Sequence, residues 1–216
     1  GHNLLDFTSG WSTFSVLGHN DSDVRKAINN QLDKYPHIDG NYWTNPQLEE
    51  AADLILSQAP SSLDKVYFSG LNGSDAVEAA MKLSYHVHHD SGHKNKTKYI
   101  YRERSYSGSS LQALVVSDIP TFNIFEKIKP TGYIKISEHN YLYNRNENET
   151  EEDYSLRCCE ELEKAIEING AENIAAFIGE TITGSFGGEH IPCKNYWKEV
   201  QKICNKYNIH LILDEI

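Results

Sequence analysis

Basic side chains are scarce in this 216-residue sequence. It contains 20 lysine and arginine residues against 31 aspartate and glutamate residues, which gives a formal net charge of −11 at pH 7. Proteins that bind nucleic acids or anionic membrane surfaces usually do so through clusters of positive charge. The deficit of basic residues therefore argues against a nucleic-acid or membrane partner.

Long apolar runs are missing as well. No window approaches the roughly 18 consecutive apolar residues that a membrane-spanning helix requires, and no basic stretch followed by an apolar run lies near the first residue. From these absences we predict a cytoplasmic protein without a membrane span.

Cysteine is sparse, and its spacing does not suggest a metal site. No pair shows the CxxC pattern, and two adjacent cysteines on a predicted helix point in different directions, so we predict reduced thiols. Four histidines near one helix end have helical spacing, but spacing alone does not supply the ligands and supporting contacts that a metal requires, so we predict no metal site. These residues are Cys158, Cys159, Cys193 and Cys204, and His86, His88, His89 and His93.

Helical and strand patterns alternate along the chain. Apolar residues with a period of 3.6 predict a helix ending near Pro36, a second one beginning at Pro46, and further helices over residues 74–89, 151–168 and 195–207. Short apolar runs predict strands at residues 65–69, 98–101, 133–136, 174–179 and 210–213. The alternation predicts an α/β fold with a mainly parallel sheet flanked by helices. The polar stretch 140–149 is predicted to be an exposed loop.

A glycine-bearing turn between a predicted strand and a predicted helix is the most informative local feature. Gly73 permits close approach of a ligand to the backbone, and Ser74 opens the helix and adds a hydroxyl. The first turn of a helix offers unpaired N–H groups and a positive dipole end, which suit a phosphate. An ordinary N-capped helix after a strand would show the same pattern, so this motif alone does not decide between them.

Four segments at predicted strand ends together resemble the class III aminotransferases, which are pyridoxal-phosphate (PLP) enzymes of fold type I. In that family the corresponding motifs are usually Ser-Gly-Ser-Glu-Ala, Tyr-His-Gly, Glu-Pro and Asp-Glu-Val. The opening segments 5–10 and 17–19 are also similar to the start of the family, so the resemblance covers nearly the whole chain. In this sequence the four motifs read Asn72-Gly73-Ser74-Asp75-Ala76, Ser105-Tyr106-Ser107-Gly108, Gly179-Glu180-Thr181 and Asp214-Glu215-Ile216.

The resemblance implies a contact for each part of the cofactor. Gly73 and Ser74 would hold the phosphate, and Tyr106 and Ile216 would lie on opposite faces of the pyridine ring. For Tyr106 and Ile216, ordinary core packing is the alternative. The family also places segments like those around Trp11 and Trp43 near the active site, although tryptophans more often belong to the core.

Two carboxylates at strand ends complete the implied site. Asp214 follows an apolar strand, where a carboxylate is costly unless a charged group compensates for lost hydration. By resemblance it pairs with the pyridine nitrogen, and a capping or salt-bridging aspartate is the alternative. Glu180 would lie beside the cofactor as a candidate catalytic residue, because in family members it can pair with a substrate-gating arginine.

The sequence departs from the family at four positions in these motifs. Thr181 replaces the usual proline, Ser107 replaces histidine, and Asn72 and Asp75 replace serine and glutamate. None of these changes removes a group that the cofactor requires, but the detailed contacts at the phosphate and ring are expected to differ.

The resemblance also implies residues beyond Ile216. In this family the Schiff-base lysine follows the Asp-Glu-Val strand at a distance, and Lys82 is expected on the helix surface, where it cannot replace that lysine. We therefore expect a fragment of a longer enzyme, with residues 1–40 as the N-terminal segment of a small domain or arm and residues 41–216 as an incomplete PLP-binding large domain.

The predicted activity is transfer of an amino group from an amine or amino acid to a 2-oxo acid, in a homodimer. A racemase, aminomutase or decarboxylase of the same fold is the alternative within the class, because the residues around the cofactor determine which bond of the substrate is cleaved. A non-catalytic truncated homologue is the alternative outside it.

Overall fold

Four parallel strands form the sheet in the computed structural model of this protein, which describes residues 1–10, 15–184 and 186–216. The strands are β1 (Lys98–Arg102), β2 (Tyr133–Ile136), β3 (Ile174–Glu180) and β4 (His210–Asp214), in the spatial order β2-β1-β3-β4. Ile100 of β1 is in register with Ile134 of β2 and Phe177 of β3. All four strands lie where the sequence predicts them.

Helices cover both faces of this sheet. The larger ones are α3 (Gly73–Asp90), α6 (Glu151–Asn169) and α7 (Tyr196–Lys206). Because strand side chains alternate between faces, β3 contributes Ile178 to the core beside α3 and Phe177 to the core beside α6 and α7. Every residue of β3 is buried. The prediction of a mainly parallel sheet flanked by helices is confirmed.

The described chain divides into two compact units, residues 1–67 and 68–216. The sheet belongs to the second unit. The first contains α1 (Ser22–Lys34), capped by the Asp21 carboxylate, and α2 (Pro46–Gln58), capped by the Asn45 side chain. Both helices confirm the sequence prediction, and both leave their apolar side chains partly or fully exposed. The assignment of residues 1–40 to a smaller domain stays a prediction.

Two predicted segments differ from the structure. Residues 65–69 are not a strand, and Tyr67 is 77% exposed. Their β-forming side chains suggested one, but a strand requires a hydrogen-bonded neighbour, and the described sheet supplies none for this run. The predicted loop 140–149 contains one helical turn, α5 (Tyr141–Asn144), because the backbone N–H of Asn144 donates to the carbonyl oxygen of Asn140.

Two further elements had no clear pattern in the sequence. They are the short helix α4 (Leu111–Val115) and a 3₁₀ segment at Pro120–Ile128. Within the described residues, no helix combines the length and the apolar character that crossing a membrane requires.

The cysteine thiols are free. Burial raises the pKa of Cys158 to about 11 and the pKa values of Cys159 and Cys204 to about 12. These three thiols are therefore protonated at neutral pH, and they pack as small apolar side chains.

Candidate functional site

A cavity of about 550 Å³ lies where the segments following β1 and β4 meet the first turn of α3. In a parallel sheet, ligands commonly bind at this edge, beyond the carboxyl ends of the strands. The cavity is lined by Asn72, Gly73, Ser74, Asp75, Val77, Tyr106, Ser107, Gly108, Ser109, Ser110, Asp214 and Ile216. Five of the six predicted cofactor residues are therefore together here, and Glu180 is the exception.

The first turn of α3 forms one wall of the cavity. The Asn72 side chain accepts a hydrogen bond from the backbone N–H of Asp75 at 3.1 Å, and the Asp75 carboxylate accepts one from the N–H of Leu71 at 3.2 Å. Asn72 and Asp75, two departures from the family motif, thus cap the helix. Helix geometry leaves the N–H groups of Gly73 and Ser74 without intrahelical acceptors. Apart from the adjacent residues and the helix's own backbone, no atom lies within 4 Å of the position that a Cβ of Gly73 would take, so this backbone is open to a ligand.

The turn at residues 106–110 forms the opposite wall and contacts α3 directly. The backbone N–H of Ser109 donates to Ser74 Oγ at 3.0 Å. Ser74 uses a lone pair in this bond, and its hydroxyl hydrogen can be donated towards the cavity. Gly108 has a φ of +135°, and a Cβ there would lie 2.5 Å from Ser74 Oγ. Only glycine fits this close approach.

Asp214 closes the cavity at the end of β4. Burial raises the pKa of its carboxyl above the ordinary value, while hydrogen bonds from the Ser107 side chain and the Ile216 backbone act in the opposite direction. Ser107 is itself held in place, because its backbone N–H donates to the fully buried Ser117 Oγ at 2.9 Å. The serine that replaces the family histidine therefore still gives Asp214 a hydrogen-bond donor.

Glu180 lies at the end of β3 and is only 1% exposed. Its carboxylate oxygens accept hydrogen bonds from the N–H of Gly184 at 2.9 Å and, more weakly, from the N–H of Tyr106 at 3.4 Å. Burial raises its pKa. Glu180 thus ties the segment following β3 to the residue that opens the cavity turn, but it does not line the cavity itself.

Thr181 makes a contact that the usual proline could not make. Its backbone N–H donates to the carbonyl oxygen of Asp214 at 3.1 Å, and its hydroxyl donates to the Glu215 carboxylate at 2.9 Å. Proline has no N–H to donate. The substitution therefore adds a hydrogen bond between the ends of β3 and β4, directly behind Asp214.

Aromatic side chains surround Tyr106, which is partly exposed. Its ring centroid lies 6.4 Å from that of Phe122 and 6.3 Å from that of Phe186. Ile216 lines the same cavity and is largely exposed. Phe122, Phe186 and the cavity serines Ser109 and Ser110 were not predicted. The only sequence signal for the two serines is their position directly after the Ser-Gly turn.

The remaining candidates lie elsewhere. Lys82 is on the exposed surface of α3, as predicted. Trp11 lies outside the described residues, and Trp43 is exposed in the unit of residues 1–67.

Over ranges 1–10, 15–184 and 186–216, no group of three or more histidine, cysteine or acidic side chains is arranged to hold a metal. His88 instead bonds the carbonyl oxygen of Ala175 at 2.9 Å.

Comparison with known proteins agrees with the fold and with the family that the sequence resembles. The family model for aminotransferase class-III matches residues 1–216. A probable gamma-aminobutyrate transaminase 3, mitochondrial, of Oryza sativa subsp. indica is 33% identical, with 100% of this chain and 42% of that protein covered. The diaminobutyrate–2-oxoglutarate transaminase of Halomonas elongata is 32% identical, with 100% of this chain and 46% of that protein covered.

A solved structure extends the comparison. The crystal structure of the omega transaminase from Pseudomonas jessenii in complex with PMP aligns with a TM-score of 0.87 at 29% identity, over 93% of this chain and 44% of that one. The fold prediction, the PLP fold type I, is confirmed. This chain spans less than half the length of these relatives. Its match to the family model over all 216 residues shows that the chain belongs to the class-III aminotransferase family.

Proposed function

We propose that the whole protein is a PLP-dependent aminotransferase and that this chain supplies the greater part of its cofactor pocket. The observation that carries the proposal is the cavity of about 550 Å³, where three separate segments bring Gly73, Ser74, Tyr106, Asp214 and Ile216 together. A relative that has been solved with PMP and shares the fold supports this interpretation.

The residues around the cavity fit the three parts of the cofactor. The open backbone at Gly73, with the N–H and hydroxyl of Ser74, suits an anionic phosphate at a helix N-terminus. The Tyr106 ring and the Ile216 side chain would hold the ring from its two faces. Asp214 would accept the hydrogen of the pyridine nitrogen.

Asp214 is the residue whose environment matters most for the reaction. When bound, PLP supplies an electron sink, and its strength depends on a protonated pyridine nitrogen. Burial disfavours a lone charge on Asp214, so a positively charged partner beside it would be strongly preferred. The hydrogen bond from Ser107 would orient the carboxylate towards that partner.

Glu180 would act at the rim of the pocket rather than on the cofactor. Its carboxylate is already bonded by the N–H groups of Gly184 and Tyr106, which fixes its position. Arg102 lies close by, but one of its nitrogens donates to the backbone carbonyl oxygen of Glu180. A pairing of Glu180 with a substrate-gating arginine stays a prediction.

For the substrates, we propose an ω-amino acid as donor and a 2-oxo acid as acceptor, since relatives are named for gamma-aminobutyrate and for diaminobutyrate with 2-oxoglutarate. We also propose a homodimer, as the sequence resemblance implies. A cytoplasmic location stays a proposal based on the sequence, and the rice relative is named as mitochondrial.

Amino transfer by the full-length protein tests the proposal. With PLP, gamma-aminobutyrate and 2-oxoglutarate, we expect glutamate to form. Asp214→Asn should lower kcat by about a hundredfold or more, because the variant loses the charge that stabilises the protonated nitrogen. Glu160→Gln is the matched control, since that carboxylate is 67% exposed on α6 and is not part of the cavity lining, and it should retain the wild-type kcat.

Other outcomes separate the alternatives. Release of CO₂ from the donor, or inversion of a chiral donor such as diaminobutyrate without net amino transfer, would replace the aminotransferase with another PLP enzyme of this fold. Failure of the full-length protein to bind PLP would contradict the proposal and favour a non-catalytic homologue.

A further inference from the structure

Four buried polar atoms, at or after the carboxyl ends of the strands, have no hydrogen-bond partner among the described residues. They are Arg102 Nη1, His139 Nδ1, Asn140 Oδ1 and His190 Nε2. Arg102 ends β1, His139 and Asn140 follow β2, and His190 belongs to the segment following β3. None of these residues lines the cofactor cavity.

Arg102 and His139 lie against the ring of Tyr196, at the start of α7, and His190 stacks on His139. The Tyr196 ring centroid is 4.5 Å from that of His139 and 5.9 Å from Arg102 Cζ. The rings of His139 and His190 stack at 5.7 Å with an angle of 26° between their planes. Tyr196 belongs to the core beside α6 and α7, on the sheet face opposite α3.

Arg102 brings a buried positive charge without a direct ion pair into this cluster. It is 2% exposed, and among the described residues no carboxylate lies within 4 Å of its guanidinium nitrogens. Its nearby groups are the backbone carbonyl oxygen of Glu180, the ring of Trp197, and the ring and hydroxyl of Tyr196. The Arg102 charge acts on the Glu180 carboxyl in the direction that lowers its pKa. The Glu180 oxygens, however, already accept hydrogen bonds from two backbone N–H groups. A buried charge in this setting is costly unless an opposite charge is close to it.

The histidines add donors rather than a negative charge. His139 Nε2 lies 2.7 Å from Ser155 Oγ, and when the serine donates this bond the hydrogen of the neutral imidazole is on Nδ1. His190 Nε2 can also carry a hydrogen, and rotation of the Asn140 amide presents its NH₂ in place of Oδ1. A water molecule could satisfy such hydrogen bonds but would add no negative charge beside the guanidinium group.

We propose that Arg102, His139 and His190 bind one small inorganic anion, such as chloride, on the α6 and α7 side of the sheet. The ion joins groups from the ends of β1, β2 and β3. Its binding therefore stabilises the same strand ends that carry the cofactor pocket on the other face, and this role is independent of the proposed amino transfer.

Halide-dependent stability of the full-length protein tests the site. In sodium gluconate at constant ionic strength, replacement of gluconate by chloride or bromide should raise Tm along a saturable curve. His190→Ala should raise the apparent Kd for halide at least tenfold, because it removes one donor from a partly exposed segment. His86→Ala, at a histidine with a 70% exposed side chain, is the matched control and should retain the wild-type curve.

Crystals of the full-length protein soaked in bromide give a second readout. We expect an anomalous peak in contact with Arg102 Nη1 and His139 Nδ1. Water alone at this position, or the same Tm in chloride and gluconate, would overturn the proposal. If the dependence of Tm on halide concentration is the same in His190→Ala and in the wild type, the assignment of the anion to this cluster is overturned. This test does not require a folded Arg102 variant.

Discussion

Gly108 is the residue that holds the two walls of the cavity at their present distance. Its backbone has φ +135°, and its missing Cβ leaves room for the Ser74 hydroxyl and the Ala113 methyl group. Gly73, across the cavity, has an ordinary helical backbone, and apart from the adjacent residues and that backbone it has no neighbour within 4 Å of a Cβ position. Two glycines of the same site are thus required for different reasons, one by close approach and the other by access for a ligand.

We predict that Gly108→Ala destabilises the protein by about 1–3 kcal/mol, since alanine would be strained at this φ and would crowd Ser74. Gly73→Ala is the comparison and should change the unfolding free energy by less than about 0.5 kcal/mol. Urea unfolding of both variants without cofactor measures the difference. Equal stability of the two variants would show that the contact between Gly108 and Ser74 is not tight.

A buried histidine and a half-buried one stacked on it make stability depend on pH. The rings of His88 and His210 stack at 4.1 Å, and His88 is fully enclosed beside the buried Lys96. Burial lowers the pKa of both imidazoles, and the nearby Lys96 ammonium acts in the same direction. The unfolded chain therefore takes up protons near pH 6.5 that the folded chain resists, and stability falls as the pH drops below that value.

His88→Gln should weaken this dependence, because glutamine can still donate to the carbonyl oxygen of Ala175 but does not titrate. Between pH 7 and 5 we expect the loss of unfolding free energy to be smaller in the variant than in the wild type by about 1 kcal/mol. Urea unfolding at the two pH values measures it. His86→Gln on the exposed side of the same helix is the control, and an equal loss in wild type and His88→Gln would refute the account.

At the scale of elements, the ends of β3 and β4 set the position of Asp214. The two strands are in register up to the pair Glu180 and Asp214, and the Thr181 N–H then adds one more hydrogen bond to the Asp214 carbonyl oxygen. A strand end that is bonded on its last residue is held more firmly than a fraying one.

Thr181→Pro restores the residue usual in the family and should cost about 1 kcal/mol of unfolding free energy, because the N–H bond to Asp214 is lost. Thr181→Val keeps the N–H and separates this bond from the hydroxyl contact with Glu215. Chemical denaturation of the two variants, followed by PLP titration of the full-length forms, measures both stability and pocket geometry. If the Thr181→Pro and Thr181→Val variants have the same unfolding free energy, the N–H bond to Asp214 contributes nothing to stability.

At the scale of the whole molecule, regular patterns made much of the fold predictable. The period of 3.6 and the capping residues Asn45 and Thr150 located their helices, and the apolar runs located all four strands. Part of the site followed from the rule that parallel strands end at one edge, which brings the segments after β1 and β4 together at Tyr106 and Asp214. Gly73 lines the same cavity although no strand of the described sheet precedes it, and its motif is one of three that line the cavity.

Other features depend on tertiary contacts that no local pattern records. The run at residues 65–69 has the side chains of a strand but no neighbour in the described sheet. The close approach of Gly108 to Ser74 and the cluster of Arg102, His139 and His190 join residues that lie tens of positions apart without a recognisable motif. Such contacts are visible only once the sheet has brought the strand ends together.

A crystal structure of the full-length protein with PLP is the most direct test of the central claim. We predict that the phosphate lies at the N–H groups of Gly73 and Ser74 and that the pyridine nitrogen lies within hydrogen-bond distance of Asp214. A cofactor bound elsewhere, or in this cavity with its nitrogen away from Asp214, would contradict the account.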